Sequence, residues 1–327
     1  MKHHFADLLD RDGGYWTIVP NRDRYSYSVE NLPENRTDVL ILTISKDDKN
    51  WEQIFSLHHL EELTLHNPSK EQLASIDQLS ILKRLRITHC RLKDIEFIRA
   101  LVNIEELVLE YVSGFTDLSP LSSLKKLRSV HFENLRKVHD FNALAGIKSL
   151  QYLYIRGTLD WNQPVDDFNF LEKLPNLEVL AFVNIINKTP YPALKPILSL
   201  KKLKRIKLIR DLFSTEEYAL IETSFPNVYG AVWEPFKKYT AGYTTLKMLP
   251  KKDPRYKLSD EELRENYPKV KIINGNRLIK EENPGWFRFL GKKAGGVKCN
   301  NPLTKKKCDE FKDKYEAMKI KAMKEIR

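Results

Sequence analysis

Apolar residues recur along most of this chain at intervals of three that tighten to two. In residues 117 to 132, DLSPLSSLKKLRSVHF, they are Leu118, Leu121, Leu124, Leu127, Val130 and Phe132. An α-helix drifts off a strict period of three and a strand alternates in twos, so the segment predicts two fused elements, the second a strand. The same outline returns at 50–65, 72–87, 94–109, 140–155, 167–182 and 193–208, and the starts of the seven copies lie 22, 22, 23, 23, 27 and 26 residues apart. An eighth copy at 217–233 keeps Tyr218, Ile221, Phe225, Val228 and Trp233 but carries one extra residue. Val39, Leu42 and Ile44 place a first strand with no preceding half. Both ends read as adapting turns.

These units resemble leucine-rich repeats of the short SDS22-like and internalin type, whose period falls in the range of roughly 20–29 residues. The resemblance covers about residues 39 to 233. It implies an α/β solenoid, a leucine-rich repeat horseshoe with a parallel concave β-sheet, capped at both ends because each copy buries its leucines only against its neighbours. Three regions follow: an N-terminal cap at 1–38, the repeats at 39–233 and a capping region at 234–327. The family is a binding scaffold with many partners, so the resemblance implies fold much further than function. Where the family usually shows Asn or Cys to cap the turn, this chain has Cys90, Thr158 and Asp211 in some copies but Pro68, Val112, Leu135 and Ile185 in others. Locally irregular turns are expected.

In such repeats the strand leucines point inward and the residues between them stand on the concave face. Adjacent strands lie roughly 4.8 Å apart, so equivalent positions form rows. The third, fifth and seventh positions are Glu62, Thr64, His66, then Arg84, Arg86, Thr88, then Glu106, Val108, Glu110. Later copies contribute Ser129, His131, Glu133, then Tyr152, Tyr154, Arg156, then Val179, Ala181, Val183, then Arg205, Lys207, Ile209. Aromatic, Arg and small apolar groups together are the composition of interface hot spots. A protein partner is therefore expected on His131, Glu133, Tyr152, Tyr154, Arg156, Val179, Ala181, Val183, Arg205 and Lys207. An apolar patch left in water would be unusual. A partner, or a loop of the chain such as GTLDWNQPVDD with Trp161, is expected to cover it.

Charge changes the picture at one end only. Residues 1–49 hold 7 Lys and Arg against 9 Asp and Glu, residues 50–233 hold 23 against 22, and residues 234–327 hold 25 against 13. The net charge of +11 thus belongs to the C-terminal region, where an acidic partner would be steered. That region contains a capping box at Ser259 and Glu262, a turn at Asn274–Gly275 that supplies one more strand, and a final amphipathic helix. The helix stripe is Cys308, Phe311, Tyr315, Met318, Ala322 and Ile326, predicted to dock on the repeat end with lysines on the other faces. At the other end, GGYWTIVPNRDRYSYSVE predicts a hairpin around PNRD whose aromatics cover the edge of the first repeat.

Candidate chemistry is sparse. Cys90, Cys299 and Cys308 have neither zinc spacing nor the density of a disulfide scaffold, and read as reduced thiols. His66, Glu110, Glu133 and His89 gather near one row, but zinc needs convergence on one point and these residues spread over four strands. Gly291, Gly295 and Gly296 lack the spacing of a phosphate loop, and no local motif pairs a nucleophile with a histidine. No cofactor is expected, and the chain does not read as an enzyme. No apolar run approaches the roughly 18 residues of a bilayer span and the start lacks a signal-peptide core, so a cytoplasmic protein is expected. The functional expectation is a scaffold binding a protein on its concave face, effector-neutralising or immunity-type in setting. Its alternative is nucleic-acid or acidic-surface binding through the C-terminal lysines.

Overall fold

The computed structural model describes residues 9–12, 15–20, 27–240, 244–245, 253–267, 270–273, 276–279 and 285–326. Leu9–Asp12 (β1) and Tyr15–Pro20 (β2) pair as an antiparallel hairpin with Asp12 opposite Tyr15. The hairpin therefore pairs 9–12 with 15–20 and not the two sides of PNRD; Pro20 ends β2, and the rest of that tetrapeptide lies outside the described residues.

Each repeat then contributes one strand: β3 (Tyr27–Ser28), β4 (Ile41–Ser45), β5 (Glu62–His66), β6 (Arg84–Arg91), β7 (Glu106–Ser113), β8 (Ser129–Glu133), β9 (Tyr152–Arg156), β11 (Val179–Val183) and β13 (Arg205–Leu208). These nine form one parallel sheet in chain order. Two further short strands, β10 (Gln163–Val165) and β12 (Ile185–Asn187), pair with each other beside it.

On the convex side, the interval of three is the period of a 3₁₀ turn, in which residues i and i+3 eclipse. Such turns occupy Trp51–Ser56, Ile76–Gln78, Glu96–Ala100, Ser119–Ser123, Asn142–Gly146, Asn169–Lys173 and Lys195–Ser199. Leu118, Leu121 and Leu124 are accordingly all buried. Aspartate sets the entry to the turn: Asp94, Asp117, Asp140 and Asp167 accept the N–H two residues on, at 3.2, 2.7, 2.8 and 2.9 Å. These are Asx turns. A helix, α1 (Lys70–Ser75), precedes one 3₁₀ turn, and α2 (Thr215–Ser224) replaces the last. The extra residue of the eighth copy is absorbed by this α-helix, after which Tyr229 still bridges to Arg205 in parallel.

The exit from the strand is set by the backbone. Asn67, His89, Tyr111, Asn134 and Asn184, each one residue past the seventh position, have φ between 47 and 58°. Asparagine tolerates this left-handed region better than other side chains, which accounts for three of the five. Where the family's turn ladder is missing, Gln163 replaces it. Its buried amide donates to the Val138 carbonyl at 2.5 Å and its oxygen accepts the Leu135 N–H at 2.9 Å.

Beyond the repeats, β14 (Phe236–Tyr239) leads to a small unit of β15 (Thr244–Thr245), α3 (Asp260–Asn266), β16 (Lys271–Ile273) and β17 (Asn276–Ile279). Ser259 and Glu262 form the expected capping box on α3. Strands β16 and β17 do pair around residues 274–275, but they join β15 in a separate sheet instead of extending the long one. The cause is local: Leu263 collects Tyr256, Leu258, Tyr267 and Val270 into a core of their own.

A third sheet, in the order β14, β18 (Trp286–Phe289), β19 (Gly296–Lys298), is stitched to the repeat end. The Leu290 carbonyl accepts from Thr215 Oγ1 at 2.8 Å, and the Gly291 N–H donates to Arg210 at 2.9 Å. Gly291 has φ +117°, and a Cβ there would lie 2.4 Å from Thr215 Oγ1, so its glycine serves close approach.

The final helix, α4 (Thr304–Ile326), docks its stripe on the same end: Cys308, Phe311, Tyr315 and Ala322 are buried and Met318 is half-buried. The side chain of Ile326 lies outside the described residues. Phe311 stacks on Phe289 with centroids 4.4 Å apart, while Tyr315 donates to Glu222 of α2 at 2.7 Å. One continuous core runs from Val29 to Tyr315.

Candidate protein-binding face

The register of the sheet sets the rows of the concave face. Glu62, Arg84, Glu106, Ser129, Tyr152, Val179 and Arg205 are successive cross-strand partners. So are Thr64, Arg86, Val108, His131, Tyr154, Ala181 and Lys207, and so are His66, Thr88, Glu110, Glu133, Arg156 and Val183. Directly opposed side chains on one face interact, so each row is a chain of contacts.

From β5 to β8 the rows are charged and paired. Arg84 reaches Glu62 at 2.7 Å and Glu106 at 3.7 Å, Arg128 bonds the same Glu106, and Arg86 bonds Glu110. Glu106 has no exposed surface and is flanked by the Arg84 and Arg128 guanidinium groups. Alongside, His89 stacks on Tyr111 with centroids 4.8 Å apart and planes nearly parallel, and His66 meets His89 at a tilt with centroids 5.4 Å apart. The histidines of the candidate metal row are engaged in these ring contacts and Glu110 in an ion pair. Among the described residues no group of three or more His, Cys, Asp or Glu side chains could hold a metal ion.

From β9 to β13 the face is aromatic and apolar. Tyr152, Tyr154 and Ala181 pack together with Val179 and Val183 against them. The Lys207 ammonium lies 5.3 Å from the Tyr154 ring centre, and the Arg205 guanidinium 5.5 Å from that of Tyr229. His131 meets Tyr154 edge-on at 4.4 Å, and neither ring nitrogen has a hydrogen-bond partner among the described residues. Burial, then the Arg156, Arg86 and Lys207 charges, hold its pKa well below the ordinary histidine value, so the imidazole is neutral. Burial also pushes the Glu133 carboxyl up, against the opposing pull of Arg156 3.4 Å away.

The ten residues expected on the binding face therefore share one surface but divide by exposure. His131, Glu133, Tyr152, Tyr154 and Ala181 are buried, Arg156, Val179, Val183 and Arg205 are half-buried, and Lys207 is exposed. Part of the cover is the N-terminal hairpin. Strand β2 lies against β7 and β8, whose other sides are taken by neighbouring strands and the core, so it reaches them over the concave face. The end of the same segment does cover the first strand, since Tyr27 and Ser28 pair with Leu42 and Thr43 of β4 and Tyr27 packs on the core; alternation carries no information on the docking of β2. The loop with Trp161 is tied instead to the adjacent turn, where Gln163 N–H donates to Asn184 at 2.9 Å. Tyr229, 75% exposed, extends the first row beyond Arg205 and was not among the expected residues. Its signal was the eighth copy, whose phase slips by one.

A seven-fold sequence repeat becomes a parallel sheet in unbroken register, leucines inward. The fold is that of a leucine-rich repeat solenoid. No family model matches it, and no curated protein does. Among solved structures it is similar to an internalin (inlF) from Listeria monocytogenes, 21% identical over 52% of this chain and 48% of that one, with a TM-score of 0.42. The chain thus spans about half the length of that internalin. It is also similar to internalin C2 of the same organism, 25% identical over 48% and 68% of the two chains, TM-score 0.38. A third similar structure is a Leptospira interrogans leucine-rich repeat protein, 17% identical over 60% and 68%, TM-score 0.33. No helix among the described residues is long and apolar enough to cross a membrane.

Proposed function

We propose that this leucine-rich repeat protein is a non-catalytic scaffold that binds a protein partner on the open, β9–β13 end of its concave face. The observation that supports this most is the half-exposed pair Val179 and Val183, held on a rigid sheet over Tyr152 and Tyr154 and flanked by Arg156, Arg205, Lys207 and Tyr229. Aromatic and arginine anchors around a small apolar centre are where binding energy concentrates. The cations give the surface a preference for a partner with an acidic rim. The buried members of the set serve as its floor, fixing the strand geometry on which the exposed ones stand.

The test is affinity capture by the full chain from its native lysate, beside Val179→Asp and Tyr229→Ala variants with unchanged thermal unfolding. Capture of a protein by the parent, resistant to nuclease and lost in both variants, supports the reading. Equal capture by all three proteins would exclude this end of the face.

A further inference from the structure

The sequence placed any nucleic-acid contact on the lysines of the C-terminal region as a whole. The geometry points to one surface there: we propose that the outer face of the β14–β18–β19 sheet is a platform for single-stranded nucleic acid. Cross-strand partners share a face. Tyr239 opposes Trp286, Trp286 opposes Lys298, Lys237 opposes Arg288, and Arg288 opposes Gly296. All six are exposed, whereas on the other face Val297 is buried, Phe289 stacks on Phe311 of α4 and Phe287 meets Phe236.

Two large rings are thus in water side by side, Tyr239 at 42% and Trp286 at 43% exposure. Each carries a cation beside it: Arg288 lies 5.6 Å from the Tyr239 ring centre and Lys298 5.5 Å from that of Trp286. No carboxylate pairs with Lys237, Arg288 or Lys298 among the described residues. A cavity of about 760 Å³ opens on this face between Trp286, Arg288, Lys293, Gly295 and Gly296, with Asp211 its one acidic lining residue. Exposed rings interleaved with cations that no described carboxylate pairs suit a strand of unstacked bases: the rings stack on bases and the cations take the phosphates. A duplex keeps its base faces stacked, so the rings would have nothing to stack on and the cations alone would engage it. The α4 lysines, by contrast, alternate with Asp309, Glu310, Asp313 and Glu316 and have no ring among them that is not docked.

The experiment is fluorescence anisotropy of a labelled twelve-residue oligo(dT) titrated with the full chain at 50 and 200 mM salt. Binding is expected, weakening with salt by roughly 20- to 50-fold, because neutralising three or four phosphates of a single strand releases their counterions. Trp286→Ala and Tyr239→Ala should each weaken it by roughly 10-fold. Arg288→Glu, an exposed change that leaves the core alone, should weaken it further. A matched duplex should bind more weakly than the single strand. The proposal is overturned by absence of binding at 50 mM salt, by binding indifferent to these three variants, by equal affinity for the duplex, or by polyglutamate competing as well as the oligonucleotide. Loss of binding through Lys305, Lys306 and Lys307 alone would equally overturn it, moving the contact to the helix.

Discussion

The two ends of the concave face use the same rows for opposite purposes. Between β5 and β8 the charges are spent on one another, with buried Glu106 held between Arg84 and Arg128. Between β9 and β13 the same positions carry rings and small apolar groups, and the cations at the margin rest on aromatic faces. A strand position facing outward is therefore not a recognition position by default. What separates the two ends is whether the neighbouring rows already satisfy it.

The hardest break in that contrast is Glu106→Ala. It removes the buried carboxylate that Arg84 and Arg128 share, leaving Arg84 to Glu62 and Arg128 to Glu105, and should cost about 3 kcal/mol, read as a lower denaturation midpoint at unchanged m-value. If the loss is below 1 kcal/mol, the charged end is not an internally paired block.

Of similar size is a pH effect at the open end. Glu217 of α2 is buried, accepts the Ala193 and Leu194 N–H groups, and burial pushes its pKa up to about 7. Its native form keeps a proton that the unfolded chain releases near 4.5. Stability is therefore fullest below about pH 4.5 and falls as pH rises through 7, by about 3 kcal/mol from this group. Glu217→Gln should flatten that slope in denaturation at pH 5 and 7.5, and an unchanged slope would remove the group from the account.

The smallest effect lies at the seam. His131 has two buried nitrogens without partners among the described residues, so His131→Leu should leave stability within about 1 kcal/mol of the parent or raise it. A larger loss would mean that the imidazole is hydrogen-bonded in solution and belongs to the charged end.

Much of this was legible from spacing. The leucine interval marked every solenoid strand from β5 on, and the rows counted from the first strand leucine are the observed cross-strand partners. A strand's period of two leaves no freedom in which residues face outward. The docking of β2 on β7 and β8 was not legible, because it is a contact between segments some ninety residues apart. The sheet of Tyr239 and Trp286 escaped for the same reason: its partner strands are separated by the whole α3 unit. The turn at Asn67, Asn134 and Asn184 did leave a trace, since asparagine recurs one residue past the seventh position, although Tyr111 in that conformation follows no residue preference.

The tie between α2 and α4 has a consequence for how the molecule is made. Every repeat closes on the one before it, so a growing chain shields each leucine almost as soon as the next strand is synthesised. Tyr315 meets Glu222 across 93 residues. The outer face of α2 must therefore wait, wet and apolar, through the synthesis of two further sheets before its cover arrives, and that interval is when a nascent chain is most exposed to mispairing with another copy or to capture by a chaperone.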